Sequence, residues 1–312
     1  MQRRLTHFSL SAMSSNLAPI ILFVYNRPEH TRLAIESLKN CKLASKSILY
    51  IFSDAPKNEN NQEQVKSVRK QISNLNGFKE VIIEYAKQNK GLAKSVIEGV
   101  SSILEKYESA IILEDDLLLS ESFLEYMNKA LFEAKSIDQI FTVSGYSFPV
   151  KIPTDYKHEL YLGFRSSSWG WGTWADKWVK ANWESNYFED ILSNRKLQKR
   201  FNRAGNDYTP MLIKQLNGKI DSWAVRWAYN QMMNNAYTLF PKKSLVKNIG
   251  LDGSGTHSKK RKRYVVELND FMPDFNSLNE LELNEEINRR IKKLNSLSIY
   301  RRFRNFISFG IY

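Results

Sequence analysis

Three adjacent acids, Glu114-Asp115-Asp116, follow the apolar run Ile111-Ile112-Leu113 and precede Leu117-Leu118-Leu119. Carboxylates this close repel one another, and burying them unpaired is costly. A hard divalent cation such as Mg²⁺ or Mn²⁺ would relieve both penalties. It takes oxygen ligands, bridges carboxylates at a strand end to a diphosphate, and neutralises charge on a leaving group. The plainer alternative is a helix N-terminus decorated with acids, which its dipole favours.

Elements that would carry such a cluster can be read upstream. Apolar strand candidates fall at Pro19–Tyr25, Ser47–Phe52, Val81–Tyr85 and Ala110–Leu113, at the roughly 30-residue spacing of βαβ units. Helix patterns lie between them. Pro28–Leu38 opens on a proline suited to a first turn, Gln62–Leu75 follows, and Leu92–Leu104 puts Leu92, Val96, Val100, Ile103 and Leu104 on one face. This predicts an α/β chain with a mostly parallel sheet flanked by helices. Ligands of such sheets bind beyond the carboxyl ends of the strands, so Tyr25-Asn26-Arg27, Ser53-Asp54 and Glu114-Asp115-Asp116 should converge on one crevice. After a helix at Ser122–Ala134 and a strand at Ile140–Ser144, the sequence turns aromatic and glycine-rich in Ser168-Trp169-Gly170-Trp171-Gly172-Thr173-Trp174.

Composition narrows the class. At 312 residues, 42% hydrophobic and 25% charged, the chain can bury a sizeable core. A single cysteine, Cys41, excludes an intramolecular disulfide and suits a reducing compartment. No run reaches the ~20 apolar residues of a membrane span, and the N-terminus lacks the apolar segment of a signal peptide. These features predict a cytoplasmic protein. The net charge of +13 implies an anionic partner. Much of the excess sits in Lys259-Lys260-Arg261-Lys262-Arg263 and in the last thirty residues rather than in a nucleic-acid motif, so no nucleic acid is expected.

The acid triplet resembles the DxD-type motif of GT-A glycosyltransferases, and Glu-Asp-Asp is the form used by the animal family that adds N-acetylglucosamine to start complex N-glycans. The likeness continues through Trp169-Gly170-Trp171-Gly172-Thr173-Trp174, Asp221-Ser222-Trp223-Ala224-Val225-Arg226-Trp227, Pro241, Asn248-Ile249-Gly250 and Gly253-Ser254-Gly255-Thr256-His257. Together these segments resemble bacterial sugar transferases related to the family-2 enzymes. The resemblance implies a GT-A fold with a nucleotide half at 18–144 and an acceptor half at 145–260, preceded by a loose tail at 1–17 and followed by a basic helical extension at 261–312. It implies an inverting, Mn²⁺- or Mg²⁺-dependent transfer from a nucleotide-sugar donor, a UDP-sugar by expectation, to a glycan or lipid-linked glycan acceptor in surface polysaccharide synthesis.

Residue by residue, the resemblance makes Asp116 the metal ligand and Asp115 a ribose-side contact, with His257 on the metal or phosphate. A histidine in a polar loop is otherwise simply solvated. Asn26 and Arg27 would meet the phosphate and Asp54 a uracil ring nitrogen, although Asn26 also suits a capping turn and Asp54 an Asx turn before Pro56. Gly91 matches the glycine-hinged helix start beside the base and diphosphate, and equally an ordinary helix entry. Asp221 is the candidate general base; here the pattern departs from the animal relatives, which have two adjacent acids before the tryptophan where this chain has Asp221-Ser222. Its alternative role is N-cap of a helix at Trp223–Met232. Trp169, Trp171 and Trp223 are candidate sugar contacts, while the helical spacing of Trp171, Trp174 and Trp178 also suits a core, the expected fate of at least two of the four tryptophans between 169 and 178.

Near the C-terminus, Ile287, Ile291, Leu294, Ile299, Phe303, Phe306 and Ile307 form apolar stripes among arginines and lysines. Such a helix can lie on an anionic membrane or pack on the domain with a solvated basic face. Two other classes compete with a glycosyltransferase. A sugar nucleotidyltransferase would carry a Gly-rich basic loop after the first strand, where this chain has Tyr25-Asn26-Arg27-Pro28-Glu29. A non-catalytic basic binding protein would have no use for the acids.

Overall fold

A computed structural model of the chain describes residues 17–252, 262–298 and 300. One eight-stranded sheet dominates it, in the order β3-β2-β1-β4-β8-β6-β9-β7. Its strands are β1 (Ile20–Val24), β2 (Ile48–Ser53), β3 (Glu80–Tyr85), β4 (Ser109–Glu114), β6 (Ile140–Ser144), β7 (Leu160–Gly163), β8 (Trp171–Trp174) and β9 (Tyr237–Pro241). Strands β1 to β4 pair in parallel, as do β6 and β9, whereas β8 and β7 run antiparallel to their neighbours. The expected mostly parallel sheet is therefore present. A two-stranded antiparallel ribbon of β5 (Leu117–Leu119) and β10 (Val246–Asn248) adjoins it.

The two faces of the sheet sort by residue parity. Every residue of β1 is buried, as in a sheet covered on both sides. Ile20, Leu22 and Val24 join one core with Ile35 and Leu38 of α1 (Pro28–Lys39), Val68 and Ile72 of α2 (Gln62–Ile72) and Leu124 and Met127 of α4 (Phe123–Glu133). Ile21 and Phe23 face the other way, onto Ala93, Val96 and Val100 of α3 (Leu92–Leu104). Helix α3 comes close enough that a Cβ on Gly99 would sit 2.9 Å from the Phe23 ring.

β8 slots between β4 and β6, pairing Ile112 with Trp171 on one side and Ser144 with Trp171 on the other. The two sequence halves divided at residue 144 thus share one sheet. Beyond it, α5 (Ala175–Trp178), α6 (Arg195–Phe201), α7 (Tyr208–Leu216) and α8 (Trp223–Met233) follow. The last three enclose a separate aromatic core of Phe188, Phe201, Tyr208, Leu212 and Tyr229.

The final described helix, α9 (Glu285–Leu294), buries Ile287 and Ile291 in the main core. Of the two alternatives for that stretch, packing on the domain therefore holds for Ile287 and Ile291. Ile299, Phe303, Phe306 and Ile307 lie outside the described residues. Among those described, no helix is long and apolar enough to cross a membrane.

Candidate functional site

The carboxyl ends of β1, β2 and β4 meet as the sheet topology requires. β4 ends at Glu114 and turns through Asp115 and Asp116 into β5. Across β1, the Tyr25 N–H donates to Asp115 Oδ2 at 3.3 Å. Arg27, the residue before the first turn of α1, reaches over so that its NH1 lies 2.9 Å from Asp116 Oδ2 and 4.0 Å from Asp115 Oδ1. Asn26 lies in the same turn, half-buried.

The third side comes from β10, which sequence reading places only as a family motif. Its antiparallel pairing sets Asn248 opposite Leu117, so the chain continues past Asp116. The Ile249 N–H donates to the Asp116 carbonyl at 2.9 Å, and Asn248 Nδ2 lies 3.5 Å from Asp116 Oδ1. Gly250 then passes so close that a Cβ there would collide with the Asp116 carboxylate and lie 2.9 Å from Arg27 NH2. Only glycine fits that cradle without moving the acid.

Electrostatics follow from three acids set against one guanidinium. Burial raises the Asp115 carboxyl to about 7, Asp116 adds to the rise, and Arg27 opposes it. Glu114 is also raised, by burial first and then by its two acidic neighbours. Among the described residues, the cluster carries more negative charge than its neighbours offset. Asn248 Oδ1 is buried beside the same carboxylate, with no hydrogen-bond partner among the described residues. An oxygen-seeking divalent cation fits these groups, since it would meet the surplus charge and the orphan amide oxygen together. Among the described residues no three His, Cys, Asp or Glu side chains form a metal cage. Such a set suits a cation held by one or two protein oxygens and completed by substrate phosphates.

Asp54, at the end of β2, accepts four hydrogen bonds. Ala55 N and Lys90 N donate to Oδ1 at 2.8 and 2.9 Å, while Gly91 N and Asn89 Nδ2 donate to Oδ2 at 3.0 and 3.1 Å. Its acceptor sites are thus taken by its own chain. Its observed work is to hold the Asn89-Lys90-Gly91 entry to α3 rather than to offer a free oxygen to a ring nitrogen. Gly91 adopts φ 75°, and a Cβ there would lie 3.5 Å from Asp221 Oδ2. Asp54 and Gly91 therefore bring the end of β2 up to Asp221.

Asp221 is not the cap of α8. Ser222 is, accepting from Val225 N at 3.4 Å, which leaves the Asp221 side chain 57% exposed with Arg226 NH2 at 3.5 Å. Burial lowers the pKa of Arg226, and Asp221 partly restores it. A solvated carboxylate beside a glycine-lined helix entry can accept a proton.

The tryptophans require correction. Trp171 and Trp223 are 0% and 3% exposed and stack at 5.0 Å between ring centroids, so neither can touch a sugar. Trp171 and Trp174 are not helix-spaced neighbours but ends of the strand β8 on opposite faces: Trp171 packs with Trp178 and Trp227, while Trp174 donates through Nε1 to the Leu131 carbonyl of α4. Trp169 alone among the candidates stays half-buried, edge-on to Tyr146 at 4.6 Å and Tyr264 at 6.0 Å. His257 lies outside the described residues.

Comparison with known proteins adds general likenesses. No protein-family model and no curated protein matches the chain. Among solved structures it is similar to S. aureus TarS 1-349 in complex with UDP, with a TM-score of 0.41, 10% identity and coverage of 74% of this chain and 59% of that one. It is similar to TarS 1-349 in complex with UDP-GlcNAc at a TM-score of 0.38 and 10% identity, covering 73% and 57%. It is also similar to the mannosyltransferase PcManGT from Pyrobaculum calidifontis in complex with GDP-Man and Mn²⁺, at a TM-score of 0.36 and 11% identity over 71% of this chain and 75% of that one. The chain thus spans less than two thirds of the TarS chains. At these values the similarity assigns neither activity nor ligand to it.

Proposed function

We propose that the chain is a divalent-metal-dependent glycosyltransferase that uses a nucleotide-diphosphate sugar, a UDP-sugar by preference, and inverts the anomeric centre. The observation that carries this reading is the convergence of Asp115 and Asp116 with Arg27, Asn248 and Gly250 on one side of the crevice, and of Asp54 with Gly91 and Asp221 on the other. In this reading Asp116, with the Asn248 amide oxygen, would hold Mn²⁺ or Mg²⁺; when bound, the ion would neutralise the diphosphate as it leaves. Arg27 would exchange its contact with Asp116 for a phosphate oxygen. Asn26 and Asp115 would line the nucleotide, and His257 would reach the phosphate or metal.

Asp221 would take the proton from the acceptor hydroxyl as its oxygen bonds to the sugar carbon and the bond to the diphosphate breaks. The acceptor, a glycan or lipid-linked glycan, would lie toward Trp169, and residues 301–312 would meet an anionic membrane where that acceptor is anchored. The test is calorimetric titration of the full chain with UDP. Binding should be saturable with Mn²⁺ and at least about tenfold weaker with EDTA. Equal affinity in both conditions would remove the metal from the reading, and absence of any nucleotide binding would remove the reading itself.

A further inference from the structure

A second site lies at the far end of α8 from Asp221. The helix closes with a left-handed residue, Asn235 at φ 54°, and the Ala236 N–H donates back to the Gln231 carbonyl at 2.9 Å. Arg200, from α6, donates through NH2 to the Met232 carbonyl and to Asn235 Oδ1, each at 2.6 Å. That contact sets a positive group on the negative pole of the helix. Arg203 lies exposed over the Phe164 ring, with Cζ 3.9 Å from the centroid. Between the two arginines opens a small cavity of about 40 Å³, walled by Phe164, Phe201, Met232 and Tyr237.

Among the described residues no carboxylate forms an ion pair with Arg200 or Arg203, and Arg203 makes no side-chain hydrogen bond there. Two guanidiniums at one cavity repel each other unless an anion joins them. Arg203 keeps five N–H donors and Arg200 three for such a group. Stacking on Phe164 holds the Arg203 fork in place, so less rotamer entropy is lost when it engages an oxyanion. A cavity of this size takes one oxyanion group, so that any body carrying the group stays at its mouth.

We propose that this cavity binds the carboxylate or phosphate group of an anionic ligand. It opens where β7 ends and β9 begins, at the amino end of the parallel strands, whereas the acid crevice lies at their carboxyl end. The 11 residues of α8 separate it from Asp221, about 16 Å along the axis, so the proposal stands apart from the reading of the crevice.

The experiment is calorimetric titration of the full chain, and of Arg203→Ala and Arg203→Lys, with glucuronate, glucose 6-phosphate, inorganic phosphate and neutral glucose. At least one anion should bind saturably and lose affinity as salt rises, with glucose at least about tenfold weaker. Arg203→Ala should lose about tenfold or more for that anion at an unchanged melting temperature, and Arg203→Lys should fall between. Preference for glucuronate would identify a carboxylate ligand, and preference for the phosphates a phosphorylated one; either supports the site. Glucose binding as tightly as glucuronate, anion affinity unchanged in Arg203→Ala, or no saturable binding of any anion would overturn it.

Discussion

The acid crevice and the tryptophan cluster share a strand pair but stand at opposite extremes of chemistry. Ile112 of β4 sits opposite Trp171 of β8; two residues further along β4 the chain emerges as Glu114, while Trp171 turns inward to Trp223 and Trp178. At the crevice, charge is left over among the described residues: three acids, one guanidinium and an amide oxygen with no partner there. In the cluster, Trp171, Trp178, Trp183, Trp223 and Trp227 stack at 4.7 to 6.2 Å and exclude water. Both segments are conspicuous in sequence. Surplus charge, rather than an abundance of unusual residues, separates a place that can receive a ligand from one that stabilises the fold.

The comparison is broken most directly at Asp116. Asp116→Asn keeps the size and the backbone contact with Ile249 but removes the charge. Transfer should fall by about 10⁴-fold, as expected for the loss of several kcal/mol of charge stabilisation, while the melting temperature holds or rises because one of three repelling acids is gone. Donor hydrolysis and thermal unfolding measured on the same sample decide it. Activity within tenfold of the parent would return the triplet to the role of a decorated strand end.

Asp221→Asn should be the next largest. Turnover at saturating donor should drop by roughly 10²–10⁴-fold, with Mn²⁺-dependent UDP affinity unchanged and stability intact, since Ser222 rather than Asp221 caps α8. A melting point lowered in step with activity would instead make Asp221 a structural residue.

Trp171 should behave in the opposite way. Trp171→Ala opens a void in the cluster and should cost about 3–5 kcal/mol in denaturant unfolding. Trp171→Phe should cost far less, because the indole Nε1 it removes is buried with no partner among the described residues. UDP binding should survive in both wherever the protein is folded. Loss of nucleotide affinity in a fully folded Trp171→Phe would restore this residue to the site.

Legibility in the sequence divided along the same line. β1 to β4 and α1 to α3 are visible because each buries an apolar run or stripe of its own, with ends displaced by at most three residues; α3 spans Leu92–Leu104 as expected. β8 was hidden because Trp171-Gly172-Thr173-Trp174 becomes a strand only by pairing with β4 and β6, partners that lie roughly 30 to 60 residues away. The fate of the tryptophans went with it. At the crevice, residue types pointed to Arg27, Asp115 and Asp116, but not to the closure of Asn248 and Gly250 around Asp116, which depends on the β5–β10 ribbon. The saturation of Asp54 was equally out of reach, because its donors Asn89, Lys90 and Gly91 lie 35 to 37 residues further on.

Trp169 lies between the two regions and gives the finest test. It precedes β8, half-buried, with its ring edge-on to Tyr146 and Tyr264, and Gly170 behind it adopts φ 63°, so that a Cβ there would lie 2.8 Å from Val246 of β10. That geometry ties the indole to the ribbon closing the crevice while leaving part of its surface to solvent. Trp169→Ala should therefore cost only about 1–2 kcal/mol, less than a fully buried tryptophan because less area returns to water. If the crevice extends to this ring, KM for the glycan acceptor should rise severalfold while the Kd for UDP with Mn²⁺ stays constant, since an aromatic face contributes about 1 kcal/mol to a stacked ligand. Unchanged acceptor KM, with the full stability loss of a Trp171-like residue, would assign Trp169 to the core.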